Sequence, residues 1–263
     1  MNEIQTPTWC RRGGAGLLLL LWLVPGRATS AVVYVGQTLQ EPATRWAASD
    51  FVSIRRLDNG TYDWREADDL VRRAQKQGLR LLLRPYFQSH LPLTAEQFRT
   101  ALAAAVERYD HNGRQDMPEL RYPITDWVID GVLYPESART DDPAAWADFA
   151  VEAYRVVLAG DAHATVVISA GVCEPQTGTQ PAADAAYQEK IFVRLGQRFA
   201  SDPPRNLVIG YQLVADAEAS AQLLTLTSFW RTQLHKNHLD DAQVWLLDVS
   251  LTASGDAAYA SNC

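Results

Sequence analysis

The stretch RYPITDWVIDGVLYPES, residues 121–137, places two carboxylates in different settings. Asp130 sits inside the apolar run from Trp127 to Val132, whose apolar character on both faces reads as a buried strand. Glu136 lies beyond that run, in Tyr134-Pro135-Glu136-Ser137, where a loop could fold it back over the strand end. A carboxylate delivered to the end of a strand can act as general acid, general base or nucleophile once its neighbours set its pKa. Each also has a plainer reading: Asp130 as a buried polar residue with a local partner, Glu136 as a solvated loop charge. Two other constellations carry less. His235 and His238 stand at i, i+3 on a helix-periodic segment, but histidines near a helix C-terminus are explained by its dipole, so no metal site is read there. Ser169 and Ser250 lack a histidine in any recognisable nucleophile motif.

Such residues need a framework, and the chain supplies a repeating one. Val32 to Val35, Phe51 to Ile54, Leu79 to Leu83, Trp127 to Val132, Thr165 to Ser169, Leu207 to Tyr211 and Val244 to Val249 all read as buried strands bounded by turn residues. Helical segments lie between them. Trp64 to Gln77 follows a capping residue, Asp63, and ends at Gly78. Thr94 caps a helix reaching Tyr109, with Leu93 and Phe98 spaced as a hydrophobic staple. Asp141 or Asp142 followed by Pro143 opens a third that ends near Gly160. Tyr187 to Phe199 and Leu223 to His238 complete the set. Strand then helix, repeated, specifies an α/β fold with a parallel sheet covered by helices. Length and the absence of a glycine-rich phosphate loop after the first strand favour a (β/α)8 TIM-like barrel over an open wound sheet, and leave no cofactor to expect. The eighth unit is incomplete at the C-terminus: either Ala31 to Gln37 and the tail close the ring irregularly, or the chain is truncated.

Bulk properties narrow the setting. Arg11 and Arg12 precede an apolar run from Ala15 to Val24, Pro25-Gly26 breaks it, and Ala28-Thr29-Ser30 offers small residues for cleavage. That reads as a secretory leader over residues 1–30, followed by one barrel domain over 31–263 in a secreted or periplasmic protein. The run is too short for a spanning helix, so no stable membrane span is expected after cleavage. The net charge is −7 and the leader holds three Arg and one Glu, so the remainder is more acidic still and nucleic acid is not an expected partner. Cys173 and Cys263 remain after the leader, either as free thiols or as a pair. Asn59-Gly60-Thr61 is a glycosylation sequon in a eukaryotic host.

Four segments in order resemble the retaining glycoside hydrolases of clan A, which share the (β/α)8 barrel. TYDWREADDLVRRAQKQGLRLLLRP resembles the family's helix before its third strand and that strand. VERYDHNGRQDMPELRYPITDW resembles the approach to the fourth strand and is the most specific match. DFAVEAYRVVLAGDAHATVVISAGV resembles the next helix and the fifth strand, and FWRTQLHKNHLDDAQVWLLDVS the last helix and the seventh. The resemblance implies an O-glycosyl hydrolase in which one carboxylate attacks the anomeric carbon and another protonates the leaving oxygen. Retention puts the pair about 5–5.5 Å apart, with pKa values pushed in opposite directions.

Carried over residue by residue, the family's acid/base glutamate on strand four falls on Val132, with Gly131 at the preceding asparagine. Valine holds no proton. On strand seven the nucleophile position falls on Asp248, one methylene shorter than glutamate and so about 1 Å further from an anomeric carbon, a displacement that can cost about a hundredfold in rate. Asp130 and Glu136 are the substitutes in reach for an acid. Asp130 shares a strand face with Val132 and would sit about 6–7 Å deeper. Arg55 or Arg56 resembles the family arginine that keeps the nucleophile charged, with a surface salt bridge as the alternative. Tyr211 and Gln212 end strand six, where the family places a residue near the nucleophile. Trp127 and Trp245 could offer ring faces to a sugar or could be core. The expected protein is therefore a glycoside hydrolase-like barrel, a pseudoenzyme with impaired catalysis whose C-terminal face binds an oligo- or polysaccharide. The alternatives are an active retaining hydrolase using Asp248 with Asp130 or Glu136, and a non-catalytic interaction module.

Overall fold

The computed structural model describes residues 32–33, 46–48, 52–89, 93–130, 142–173, 182–215 and 219–251. In chain order the elements are β1 (Val32–Val33), β2 (Trp46–Ala48), β3 (Val52–Arg56), β4 (Tyr62–Asp63), α1 (Arg65–Lys76), β5 (Arg80–Leu83), β6 (Pro85–Gln88), α2 (Ala95–Tyr109), β7 (Asp126–Ile129), α3 (Pro143–Gly160), β8 (Thr165–Cys173), α4 (Ala182–Phe199), β9 (Leu207–Ala215), α5 (Ala219–Lys236) and β10 (Gln243–Leu251). The expected leader, Gly131, Val132, Glu136 and Cys263 lie outside the described residues.

Seven strands form one parallel sheet in the order β1-β10-β9-β8-β7-β5-β2, and β4-β3-β6 form a second sheet. Two strand positions are split between these sheets. β2 pairs with β5 through Trp46↔Arg80, and β3 pairs with β6 through Val52↔Pro85. The break falls at Arg84-Pro85, where proline brings no N–H and the Arg84 carbonyl instead accepts from Val52 N at 2.9 Å. Strands followed by covering helices make this an α/β fold of the (β/α) barrel type. β1 runs parallel to β10 and pairs with it directly, Val32↔Trp245 and Val33↔Leu246. The first strand thus takes the place beside β10 that an eighth strand fills in a complete (β/α)8 barrel.

Local chemistry fixes the helix ends. Thr94 accepts from Gln97 N at 3.2 Å while Gln97 Oε1 accepts from Thr94 N at 2.9 Å, a reciprocal capping box, and Leu93 and Phe98 are both buried beside it. Asp142 caps α3 by accepting from Ala144 N at 2.9 Å, with Pro143 at the first helical position. α1 departs from expectation, because its N-cap is Trp64, with no side-chain cap, while Asp63 turns to arginines. Gly78 follows α1 at φ +71°, a left-handed conformation that glycine adopts without strain.

The two faces of the sheet build separate cores. Leu81, Leu83, Trp127, Ile129, Val166 and Ile168 face the helices and join a large cluster with α1 to α5. Leu82, Val128, Val167, Val208, Trp245 and Leu247 face the barrel interior. At its N-terminal end the interior begins with Asp126, fully buried and clasped by Arg80 at 2.6 and 2.9 Å. Burial pushes this carboxyl up from its ordinary value, and the Arg80 guanidinium opposes the shift. The segment between α2 and β7 closes the same end: Gln75 donates to Tyr122 O at 2.6 Å and accepts from Arg121 N at 2.8 Å. The most family-specific stretch of sequence therefore wraps the base of β7, remote from the strand ends where barrel chemistry sits.

Candidate functional site

Register places the candidate residues by layer. Val128 pairs with Val167 and Val167 with Val208, all three in the interior core. One step of alternation higher lie Asp130, Ser169, Gly210 and Trp245, the last three in mutual register. Asp130 immediately follows β7 and is buried. Gly210 is needed there, since a Cβ would come within 2.6 Å of Leu247 Cδ1 and of Val167 Cγ1. One further step along β9 is Gln212.

Both neighbours of β9 are bulged at this height. β8 slips between Ser169 and Val172, so Val172 takes register with Gln212. β10 slips between Leu246 and Asp248, so Asp248 takes register with Gln212 from the other side. The second slip sets the backbone register of Asp248. Trp245 and Leu247 both face the interior, so unbroken alternation would assign position 248 to the helix side. The bulge adds one residue and brings position 248 level with position 212. Asp248 and Gln212 thus occupy one rung at the C-terminal end of the sheet, and Asp130 lies in the layer beneath, about 6–7 Å lower by strand rise.

Other candidates are placed elsewhere. Trp127 does not face a sugar: it is fully buried on the helix side, and its Nε1 donates to Ile124 O at 3.2 Å. Tyr211 is likewise turned away from the mouth, stacked on Trp230 of α5 with centroids 3.7 Å apart and planes 15° from parallel. Both corrections have one cause. A strand buried on both faces shows no alternation in its sequence, so the inward set cannot be told from the outward one. Trp245 is inside the barrel but is taken up by packing, with its Nε1 donating to Gln243 Oε1 at 3.1 Å, toward the N-terminal end.

The arginine question resolves by face. Val52 and Ile54 pack into the helix-side core, so Arg56 shares their side, while Arg55 shares the opposite side with Ser53. Arg55 is half exposed and donates through Nη2 to Asp63 Oδ2 at 3.1 Å, the salt-bridge alternative. Arg65 grips the same carboxylate, Nη2 to Oδ2 at 2.6 Å and Nε to Oδ1 at 2.9 Å. The Arg65 guanidinium first, with Arg55 adding to it, holds the Asp63 carboxyl well below the usual carboxylate range. This Arg55-Asp63-Arg65 cluster was missed in the sequence because Asp63 before a helix reads as a cap. The spacing Asp63-Trp64-Arg65 was the available signal. His235 Nδ1 lies 2.7 Å from Asp240 Oδ1, an exposed contact at the end of α5. No group of three or more His, Cys, Asp or Glu suited to a metal occurs among the described residues.

The structure is similar to a glucosidase from Croceicoccus marinus, with a TM-score of 0.52 and 15% identity, over 78% of this chain and 46% of that one. At that identity the likeness speaks for the fold, and this chain spans a little under half of the glucosidase. Weaker likenesses are an α-L-arabinofuranosidase from Thermotoga maritima in complex with arabinose (TM-score 0.44, 13% identity, 73% of this chain and 41% of that) and a GH113 β-1,4-mannanase (TM-score 0.33, 11% identity, 80% and 81%). Neither family models nor curated proteins match the sequence.

Proposed function

We propose that this protein is a secreted glycoside hydrolase-like barrel that binds an oligo- or polysaccharide at its C-terminal face, with catalysis impaired. The observation that supports the reading is the β10 bulge, which brings Asp248 into register with Gln212 at the C-terminal end of the sheet. The sequence supplies no acid at the position the resemblance assigns to it. Val132 stands where the resemblance expects a proton donor, and the carboxylate nearest to it along the chain, Asp130, is buried one layer down. Without a proton on the leaving oxygen, expulsion of an unactivated sugar alcohol is slow, whereas binding is unaffected.

A second reading starts from the place of Asp130 directly after β7: an active retaining enzyme in which Asp130 supplies the proton and Asp248 the nucleophile. A panel of aryl glycosides and soluble oligosaccharides separates the two. Sugar-dependent thermal stabilisation without turnover supports the impaired barrel. Turnover abolished in both Asp248→Ala and Asp130→Asn, each still folded, supports the active one. Neither stabilisation nor turnover across the panel removes both and leaves the barrel as a scaffold. The impaired reading also expects Val132→Glu with Asp248→Glu to gain measurable hydrolysis.

A further inference from the structure

A cleft of about 600 Å³ opens beside the hairpin that joins β3 to β4, lined by Arg55, Leu57, Tyr62, Trp64, Arg65 and Arg108 together with Asp63 and Asp68. A second hollow of about 530 Å³ adjoins it through the shared residues Arg55, Asp63 and Arg65, and reaches Gln88. Arg55 and Gln88 are paired across the C-terminal ends of β3 and β6, so this end of the groove is at the rim of the barrel mouth. The other end runs down the flank to the contact between α1 and α2, where Arg108 is held by Asp68 at 2.6 and 2.9 Å.

The chemistry of the lining selects the occupant. Cations and anions nearly cancel: Arg55, Arg65 and Arg108 stand against Asp63, Asp68, Glu66 and Asp69, so there is no net field to draw a charged polymer. The groups are instead planar forks of donors and acceptors, already fixed by one another, which suit vicinal hydroxyls. Ring surface lies among them, with Tyr62 and Trp64 5.4 Å apart and the Arg108 guanidinium 5.3 Å from the Trp64 ring. The groove is open to solvent along its length, unlike the enclosed pocket that takes most of a small ligand's surface. From the open shape, the balanced lining and the continuity with the mouth, we infer that this groove is a docking track for a neutral polysaccharide, holding the part of the chain that extends beyond the barrel mouth. The inference rests on the carbohydrate reading above.

Native electrophoresis of the full chain through gels containing neutral polysaccharides (a β-glucan, a xylan and a glucomannan) tests it. At least one polymer retards the wild type, and Arg65→Ala, whose side chain is 82% exposed and needed for no packing, weakens the apparent Kd about tenfold. Tyr62→Ala does the same, and its thermal midpoint checks that the fold survives. Lys76→Ala, exposed at the far end of α1, leaves retardation unchanged and so excludes a general charge effect. Equal retardation of Arg65→Ala, Tyr62→Ala and wild type overturns the track. If retardation is lost only in Asp248→Asn, the mouth alone binds and the groove inference falls while the carbohydrate reading stands. If Asp248→Asn is retarded normally and the groove variants are not, the track stands and Asp248 is not the group that holds the sugar at the mouth. No retardation by any polymer removes the track.

Discussion

Trp127 on β7 and Trp245 on β10 are both buried strand tryptophans, yet they lie on opposite faces of the sheet. Trp127 belongs to a broad helix-side core to which all five described helices contribute. Trp245 belongs to an interior core that holds six buried residues among those described, with the Asp248–Gln212 register one step further along the strands and the Arg80–Asp126 pair below. The helix-side layer is continuous, whereas the interior is a short apolar plug between two polar ends. Inside the barrel, polar groups stand at the ends of that plug, so which face a strand residue occupies matters more here than what type of residue it is.

The largest effect should come from Trp127→Ala, which removes a fully buried ring from the broad core and is expected to cost about 3–5 kcal/mol in urea unfolding. Any sugar binding should persist once the variant is folded. A stable Trp127→Ala that had lost sugar binding would reverse the assignment of its face. Gly210→Val probes the interior side, where the added carbons meet Leu247 and Val167. Overpacking should cost about 1–3 kcal/mol by thermal denaturation, and a neutral result would mean the plug beneath Asp248 is loose. The smallest effect belongs to Tyr109→Phe, at the polar edge of the helix-side core. Tyr109 donates to Asp68 at 2.9 Å, and its loss should cost about 1 kcal/mol near neutral pH.

Tyr109 also gives the helix-side core a pH signature. Burial, foremost, raises its phenol far above the ordinary value, with the Asp68 charge adding to it. Being raised for an acid, it remains protonated in the folded chain while the unfolded chain ionises near the ordinary phenol value of about 10. Its contribution to stability is therefore complete below that pH and declines above it. Tyr62, Tyr122 and Tyr154 are shifted the same way, so Tyr109→Phe should make the alkaline fall shallower without abolishing it. Denaturant midpoints measured between neutral pH and pH 11 read that slope.

Much of the framework was legible because strong local signals agreed with it. The Thr94–Gln97 box, Pro143 after Asp142 and Gly78 after α1 each mark a boundary that the structure keeps. The strands were legible as apolar runs, although the split of one strand position into β2 and β3, and the short β4, were not. Facing was illegible for the reason seen in Trp127 and Tyr211, since parallel strands covered on both sides carry apolar residues at every position. The β10 bulge was also hidden. Nothing in Trp245-Leu246-Leu247-Asp248 announces an extra residue, and the slip exists only relative to β9. Asp248 was found through the family resemblance, which carries information about register that local propensity lacks.

The pairing of β1 with β10 bears on the order of assembly. Val32 and Trp245 are separated by nearly the whole chain, so the contact that joins them cannot form until almost everything between has been synthesised. Joining such distant segments carries the full entropy of a long loop, which slows the step and places it late. Until β10 is made, β1 lacks this partner, and the strand that carries Asp248 is the last of the described strands to emerge.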